Sequence, residues 1–295
     1  DPGQLPPIGP GLPFHTMVKA TRIPSVTLDV VHRQDDATGI PAVASAVRSG
    51  KSVALRRFDP NVALSPGVYL FPATKEDVAA RTLAAFRAMC GRVPAYGRTA
   101  ALHDMDVQIL TQVKNGPAGS KELNRAIEIE YMARQANVED WGLSVGSKIM
   151  WLKNDYSKAP QLDADGSPLL DKVTGEPVCS GFMNGSLGVV TKPHPKGAWV
   201  RFDDGAEDAV TAADLEKVTH GWAISVHKAQ GSAFRRVIVP LVGSKLLDRT
   251  LLYTAVTRAV ETVVIVGDPE VLRRTIEEPP TALDRSSSMS LEAEQ

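Results

Sequence analysis

The sequence predicts an α/β protein built on a parallel sheet, interrupted by a small inserted β-barrel. Three features carry this expectation. Strand-like and helix-like segments alternate up to about residue 144, short strand-like pieces alone fill 145–219, and the alternation returns from 220. Alternating strands and helices imply a parallel sheet, because parallel neighbours need crossover connections. Short strands separated by Gly, Asn and Asp turns, with no long helical pattern among them, imply a small barrel.

In chain order, DPGQLPPIGPG at 1–11 is a Pro- and Gly-rich opening loop. VTLDVVHRQ (26–34) reads as a strand running into a turn. DATGIPAVASAVRSG (36–50) has the Asp start, helical spacing and Gly stop of a short helix. GVYLFPA (67–73) is a strand, KEDVAARTLAAFRAMCGR (75–92) an amphipathic helix, and VQILT (107–111) a short apolar strand. GSKELNRAIEIEYMARQ (119–135) is the next helix. SKIMWLKNDY, GSLGVVTKP, GAWVRFDDG and EDAVTAADL are the pieces assigned to the barrel. Trp151, in an alternating strand, reads as core before it reads as a base-stacking residue. Between these pieces, LDADGSPLLDKVTGEPVCSG (162–181) resembles a protruding hairpin; its DADG reads as a turn, since the bidentate Glu of a calcium loop is missing downstream. GWAISVHKAQG and RRVIVPLV are strands, SKLLDRTLLYTAVTRAV a helix, ETVVIVGD a strand and PEVLRRTIEE a last helix.

Composition sets limits on partners. Net charge is −1 with 23% charged residues, so any contact with a polyanion has to come from locally placed groups. Two cysteines, Cys90 and Cys179, are too few and too far apart for a disulfide framework or a zinc site, which fits a reducing cytoplasm. No secretory signal or membrane-length apolar run is present.

The chemistry-bearing residues cluster at strand ends, where open α/β sheets place ligands. Ser225, His227, Lys228, Gln230 and Gly231 follow an apolar strand, and LLYTAVTRA with VVIVGD follows about twenty residues later. These segments resemble the last two motifs of superfamily 1 helicases of the RecD-like branch. That branch inserts a barrel just before the HK-QG motif, introduced by a segment like KNDY (Lys153–Tyr156) and holding an NG-x-x-G element (Asn184, Gly185, Gly188). DPGQLPPIGPG resembles the third helicase motif, VVHRQ the motif after it, and ILTQVKNGPAGSKELN (109–124) a segment that holds single-stranded DNA. The resemblance runs from Asp1 to about Asp268.

The resemblance implies a RecA-like motor sheet (the P-loop NTPase type) over 26–144 and 220–275. It implies an SH3-like barrel at 145–219, the end of a first motor domain at 1–25, and a disordered tail at 276–295. No G-x-x-x-x-G-K-[ST] loop and no magnesium-holding Asp-Glu pair occur in these residues. The expectation is therefore the C-terminal portion of an ATP-dependent helicase, starting inside a motif. ATP and Mg2+ would be held mainly by an N-terminal motor half. Movement along single-stranded DNA would be 5′ to 3′, on single strands and single-strand/duplex junctions, by a cytoplasmic monomer with no membrane partner.

By the same resemblance Arg258 is the principal arginine finger, Arg33 the second, and Gln4 touches the γ-phosphate or the attacking water. Gln230 and Gly231 lie on the nucleotide side, with Gln230 coupling nucleotide to strand. Ser225, His227, Lys228, Thr111 and Asn124 are the DNA contacts, and no metal ligand is assigned. The pattern has two departures: Ser225 stands where the family has threonine, and Ala233 where it often has glutamate, which removes a ribose contact. Two other readings stay open: a stand-alone DNA-binding or regulatory module, and the helicase part of a conjugative relaxase.

Overall fold

A computed structural model describes residues 1–281 apart from 8, 10, 21, 29–32, 91–104, 133–136 and 139–141. The chain divides into two compact units, one within 1–89, 106–120 and 225–295, the other within 90–105 and 121–224. The expected tail from 282 onward lies outside the described residues, while the last helix continues to Glu277.

The first unit holds α1 (Pro13–Lys19), α2 (Ile40–Arg48), β1 (Arg56–Arg57), β2 (Gly67–Pro72), α3 (Val78–Cys90) and β3 (Val107–Thr111). The second contributes α4 (Ser120–Met132), β4 (Asn137–Val138), β5 (Leu143–Ser144), β6 (Lys148–Trp151), β7 (Leu187–His194), β8 (Gly197–Phe202), β9 (Glu207–Thr211) and β10 (Val218–His220). The chain then forms β11 (Ala223–Ser225), β12 (Phe234–Pro240), α5 (Arg249–Val256), β13 (Ala259–Gly267) and α6 (Pro269–Glu277).

The large sheet runs β1-β2-β13-β12-β3-β11, and the pairs β1/β2, β2/β13, β13/β12 and β12/β3 are parallel. Its central strands are unbroken β-branched runs because both faces are covered. Val237, Ile238, Val263 and Val264 have no exposed surface. α2 packs on α5 and β13. Both of the last helices start where the sequence marks a cap: Asp248 accepts from the Leu251 amide and Asp268 from the Glu270 amide. The Asp248 cap also explains why α5 is shorter than its predicted span, since the chain N-terminal to a cap is outside the helix.

The predicted strand at 26–34 does not form in its described part: Val26 and Leu28 are 89% and 91% exposed and unpaired in any strand, and 29–32 lie outside the described residues. Apolar content alone suggested that strand; pairing partners decide whether it exists.

The inserted strands form a separate antiparallel sheet ordered β10-β6-β7-β8-β9. Among the described residues the pairings end at β10 and β9 without joining them. Trp151 is fully buried, edge-on to Phe182 at 5.1 Å and to Phe202 at 6.3 Å. It is therefore core, and no face of it is open to a base. An ion network closes the sheet's rim: Lys158 meets Asp214 at 2.8 Å, and Lys217 meets Asp155 at 2.7 Å and Asp214 at 3.4 Å.

The Lys217 ammonium, with Ser157, holds the Asp155 carboxyl at about 2, below the usual carboxylate range. A depressed folded pKa contributes stability above the unfolded value, lost as pH falls through the folded one. The second unit should thus lose thermal stability as pH drops from about 4 to about 2. Lys217→Met should lower the melting temperature at neutral pH and flatten that acid limb; a melting series against pH checks both.

Candidate functional site

Arg258 ends the turn between α5 and β13, and only 3% of it is exposed. A buried cation normally pairs with a carboxylate. Here Nε donates to the Thr254 carbonyl at 3.2 Å and Nη1 to the Ser232 carbonyl at 3.3 Å, and Nη2 approaches the Thr257 hydroxyl at 3.5 Å. No carboxylate pairs with it among the described residues. Burial, and then the Arg33 charge, push its pKa down from the ordinary arginine range. The guanidinium stays charged nonetheless, so its field is uncompensated by any anion of its own.

Arg33 is exposed and donates to the Thr257 carbonyl at 3.0 Å. Gln34 beside it donates to the Thr257 and Ala259 carbonyls at 3.1 and 2.6 Å. Two like charges are thereby fastened to the same three-residue turn. An open cleft of about 880 Å³ adjoins Arg33, lined also by Asp35, Arg56, Ser65 and Glu261.

The opening loop is tied to the same helix. The Leu5 amide donates to the Thr254 hydroxyl at 2.9 Å, and the Tyr253 hydroxyl donates to Asp1 at 2.8 Å. Asp1 also caps its own loop through the Gly3 amide and meets Arg48 at 3.5 Å. Gln4, between these anchors, is half-buried and its side chain has no hydrogen-bond partner among the described residues. The structure thus ties Arg33 to the turn that carries Arg258, and ties the loop that carries Gln4 to Tyr253 and Thr254 just before it. The anchors Tyr253 and Thr254 were missed in the sequence, although both lie in the LLYTAVTRA motif.

Ser225 ends β11, and the Lys228 amide turns back to its carbonyl at 3.0 Å. His227, Lys228, Gln230 and Gly231 are exposed on this turn. Gly231 has φ +86°, a backbone state that other residues adopt only with strain. Partial burial pushes the His227 pKa down from the ordinary histidine value, which favours the neutral ring. Burial and then Lys114 push the Lys228 pKa down as well, leaving two cations on one side of the turn.

Two expected DNA contacts look inward. Thr111 has no exposed surface. Asn124 is buried; its amide nitrogen donates to the His220 and Ala223 carbonyls, and its oxygen accepts from the Ala223 amide at 2.8 Å. Asn124 thus spends its side-chain amide on clamping β11.

The turn also spans the sheet. The Val226 amide bonds the Thr111 carbonyl at one end of β3, and the Arg236 amide bonds the Asp106 carbonyl at the other. In between, Ser232 holds Arg258 and the Phe234 amide donates to the Arg258 carbonyl at 2.9 Å. A GKS tripeptide at 50–52 follows the C-terminal end of α2, where carbonyls rather than amides point outward, so it offers no phosphate cradle.

Residues 220–266 match the UvrD-like helicase C-terminal domain family, and residues 1–64 match an AAA domain family. The ATP-dependent RecD2 DNA helicase of Deinococcus radiodurans is 27% identical over 263 residues, covering 88% of this chain and 30% of that protein. The RecBCD enzyme subunit RecD of Mycobacterium tuberculosis is 32% identical over 172 residues, covering 57% of this chain and 26% of that protein. The chain thus spans less than a third of these relatives. A solved structure of Bacteroides Pif1 helicase with ADP-AlF3 and single-stranded DNA aligns with a TM-score of 0.44 at 16% identity, covering 88% of this chain and 55% of that one. The family matches and the curated relatives support a superfamily 1 helicase-like domain.

Thr254→Val keeps volume but removes the acceptor for the Leu5 amide. Exchange of that amide should speed up by about tenfold, the value of one lost hydrogen bond. Hydrogen-exchange mass spectrometry of a peptide covering residues 2–7 reads this directly; unchanged exchange would mean the loop is held by something other than α5.

Proposed function

We propose that this chain supplies the arginine-bearing second motor domain of an ATP-dependent, RecD-like DNA helicase, with an SH3-like barrel inserted. One observation carries the reading: a buried guanidinium with no carboxylate partner among the described residues, and a second arginine bonded to the carbonyl of the residue before it. That constellation suits an anionic ligand whose charge grows during reaction. Phosphoryl transfer builds such charge on the transferring group.

In this mechanism Arg258 pairs with phosphate oxygens through its planar fork, and Arg33 adds a second positive charge from the same turn. Gln4 orients the attacking water or senses the γ-phosphate. Strand binding falls to the exposed turn: Ser225 donates a hydroxyl, Lys228 neutralises a phosphate, and neutral His227 offers a hydrogen bond. Gln230 and Gly231 lie on the span that joins this turn to Ser232, and so link the two functions. Thr111 and Asn124 act by holding that turn's strand in place.

ATP is the substrate in this reading. A magnesium ion would neutralise its phosphates when bound. Among the described residues no group of three or more His, Cys, Asp or Glu side chains is placed to hold a metal ion. The phosphate loop and the magnesium carboxylates are assigned to a first motor domain outside these residues.

Alone, the chain should therefore show no ATP turnover; hydrolysis that survives rigorous purification and disappears in Arg258→Ala would overturn this. In an enzyme that also carries a phosphate-loop domain, Arg258→Lys should lower turnover by roughly a thousandfold, because an ammonium cannot copy the bidentate fork. Single-strand binding should stay within a few-fold. Lys228→Ala should instead weaken strand binding and flatten its salt slope by about one unit. Steady-state ATPase rates and salt-titrated oligonucleotide affinities for both variants decide it. If Arg258→Lys leaves turnover intact, the finger assignment falls.

A further inference from the structure

Residues 161–177 form a knob in which every residue is exposed. Three short segments nevertheless hold one another in a closed triangle. The Gln161 amide donates to the Val178 carbonyl at 2.8 Å, Val178 to Leu169 at 2.8 Å, and Leu169 to Gln161 at 2.7 Å. Both turns of the knob are tied by carboxylates: Asp163 accepts from the Asp165 and Ser167 amides, and Asp171 from the Val173 and Thr174 amides. Gly166 and Gly175, at φ +79° and +72°, supply the left-handed backbone these turns need.

Ordering a chain has an entropic cost that burial of apolar surface normally offsets. The knob returns none of it within the molecule. Leu162, Leu169, Leu170 and Val173 are 60%, 44%, 53% and 93% exposed. Aliphatic side chains presented together on an ordered projection mark an interaction surface. The triangle uses the Gln161, Leu169 and Val178 amides internally, which leaves the exposed side chains as the main recognition surface.

We infer that the knob is a docking element for a polypeptide partner that presents basic and aliphatic side chains. Charge selects this partner over nucleic acid: residues 161–177 carry four acids (Asp163, Asp165, Asp171, Glu176) against Lys172 alone. Such a surface repels phosphates and complements lysine or arginine. The inference is independent of the nucleotide chemistry above.

The test uses the full chain and three probes: an alternating Lys/Leu peptide, an oligolysine of equal charge, and a single-stranded oligo(dT). The Lys/Leu peptide should bind at least about tenfold more tightly than oligolysine, and Leu169→Ser/Leu170→Ser should lose at least about tenfold of that affinity. Melting temperature should change little, since both side chains stay about half exposed; should the double variant fail to fold, Val173→Asp gives the same reading at the most exposed position. Asp165→Asn/Glu176→Gln should weaken peptide binding at low salt. A photo-crosslinking residue at Val173 should capture the Lys/Leu peptide. Equal affinity for oligolysine, indifference to the leucine substitutions, or crosslinking of oligo(dT) at Val173 would each overturn the assignment.

Discussion

A guanidinium withdrawn from water and held only by neutral oxygens is the interaction around which the α/β unit is organised. Desolvating a charge is costly, and carbonyl hydrogen bonds recover only part of that cost. The turn at residues 254–258 meets it with Thr254 and Thr257 from its own helix end and Ser232 from the span before β12, while Arg33 and Gln34 bond the Thr257 carbonyl beside it. Each of these also fixes another element. Thr254 carries the opening loop, and the Arg258 carbonyl starts the pairing of Phe234. Placing the charge therefore places the chain around it. An anion delivered to this point completes an interaction that the fold leaves open.

Position in the sheet explains why strand ends matter here. β12 and β13 are buried on both faces, so neither can present a polar side chain except at its ends. Arg258 takes the end before β13, and the Ser225–Gly231 turn takes the far end of β3. The apolar interior between them is rigid and close-packed.

Much of this was legible in the residues. The β-branched runs VVIV and VIV named the central strands, whereas the start of α5 at Asp248 was missed because the helix was read from Ser244 onward. Arg258 stood out through its neighbours in LLYTAVTRA. What a one-dimensional pattern cannot carry is where a polar side chain spends its hydrogen bonds. Asn124 lies in a promising segment yet clamps a strand, and Trp151 carries an aromatic face yet seals a core. Two-residue strands such as β1 and β4 have no periodicity to find and exist only because a neighbour pairs with them. The 26–28 stretch is the converse case, apolar enough to look like a strand but given no neighbour.

The peptide span from Val226 to Arg236 is bonded to β3 at both ends, at Thr111 and at Asp106. The exposed turn that carries Lys228 and Gln230 and the Ser232 carbonyl that holds Arg258 therefore share one pinned segment. A single buried strand thus sets the positions of both at once, and a substitution that shifted β3 would displace the two together.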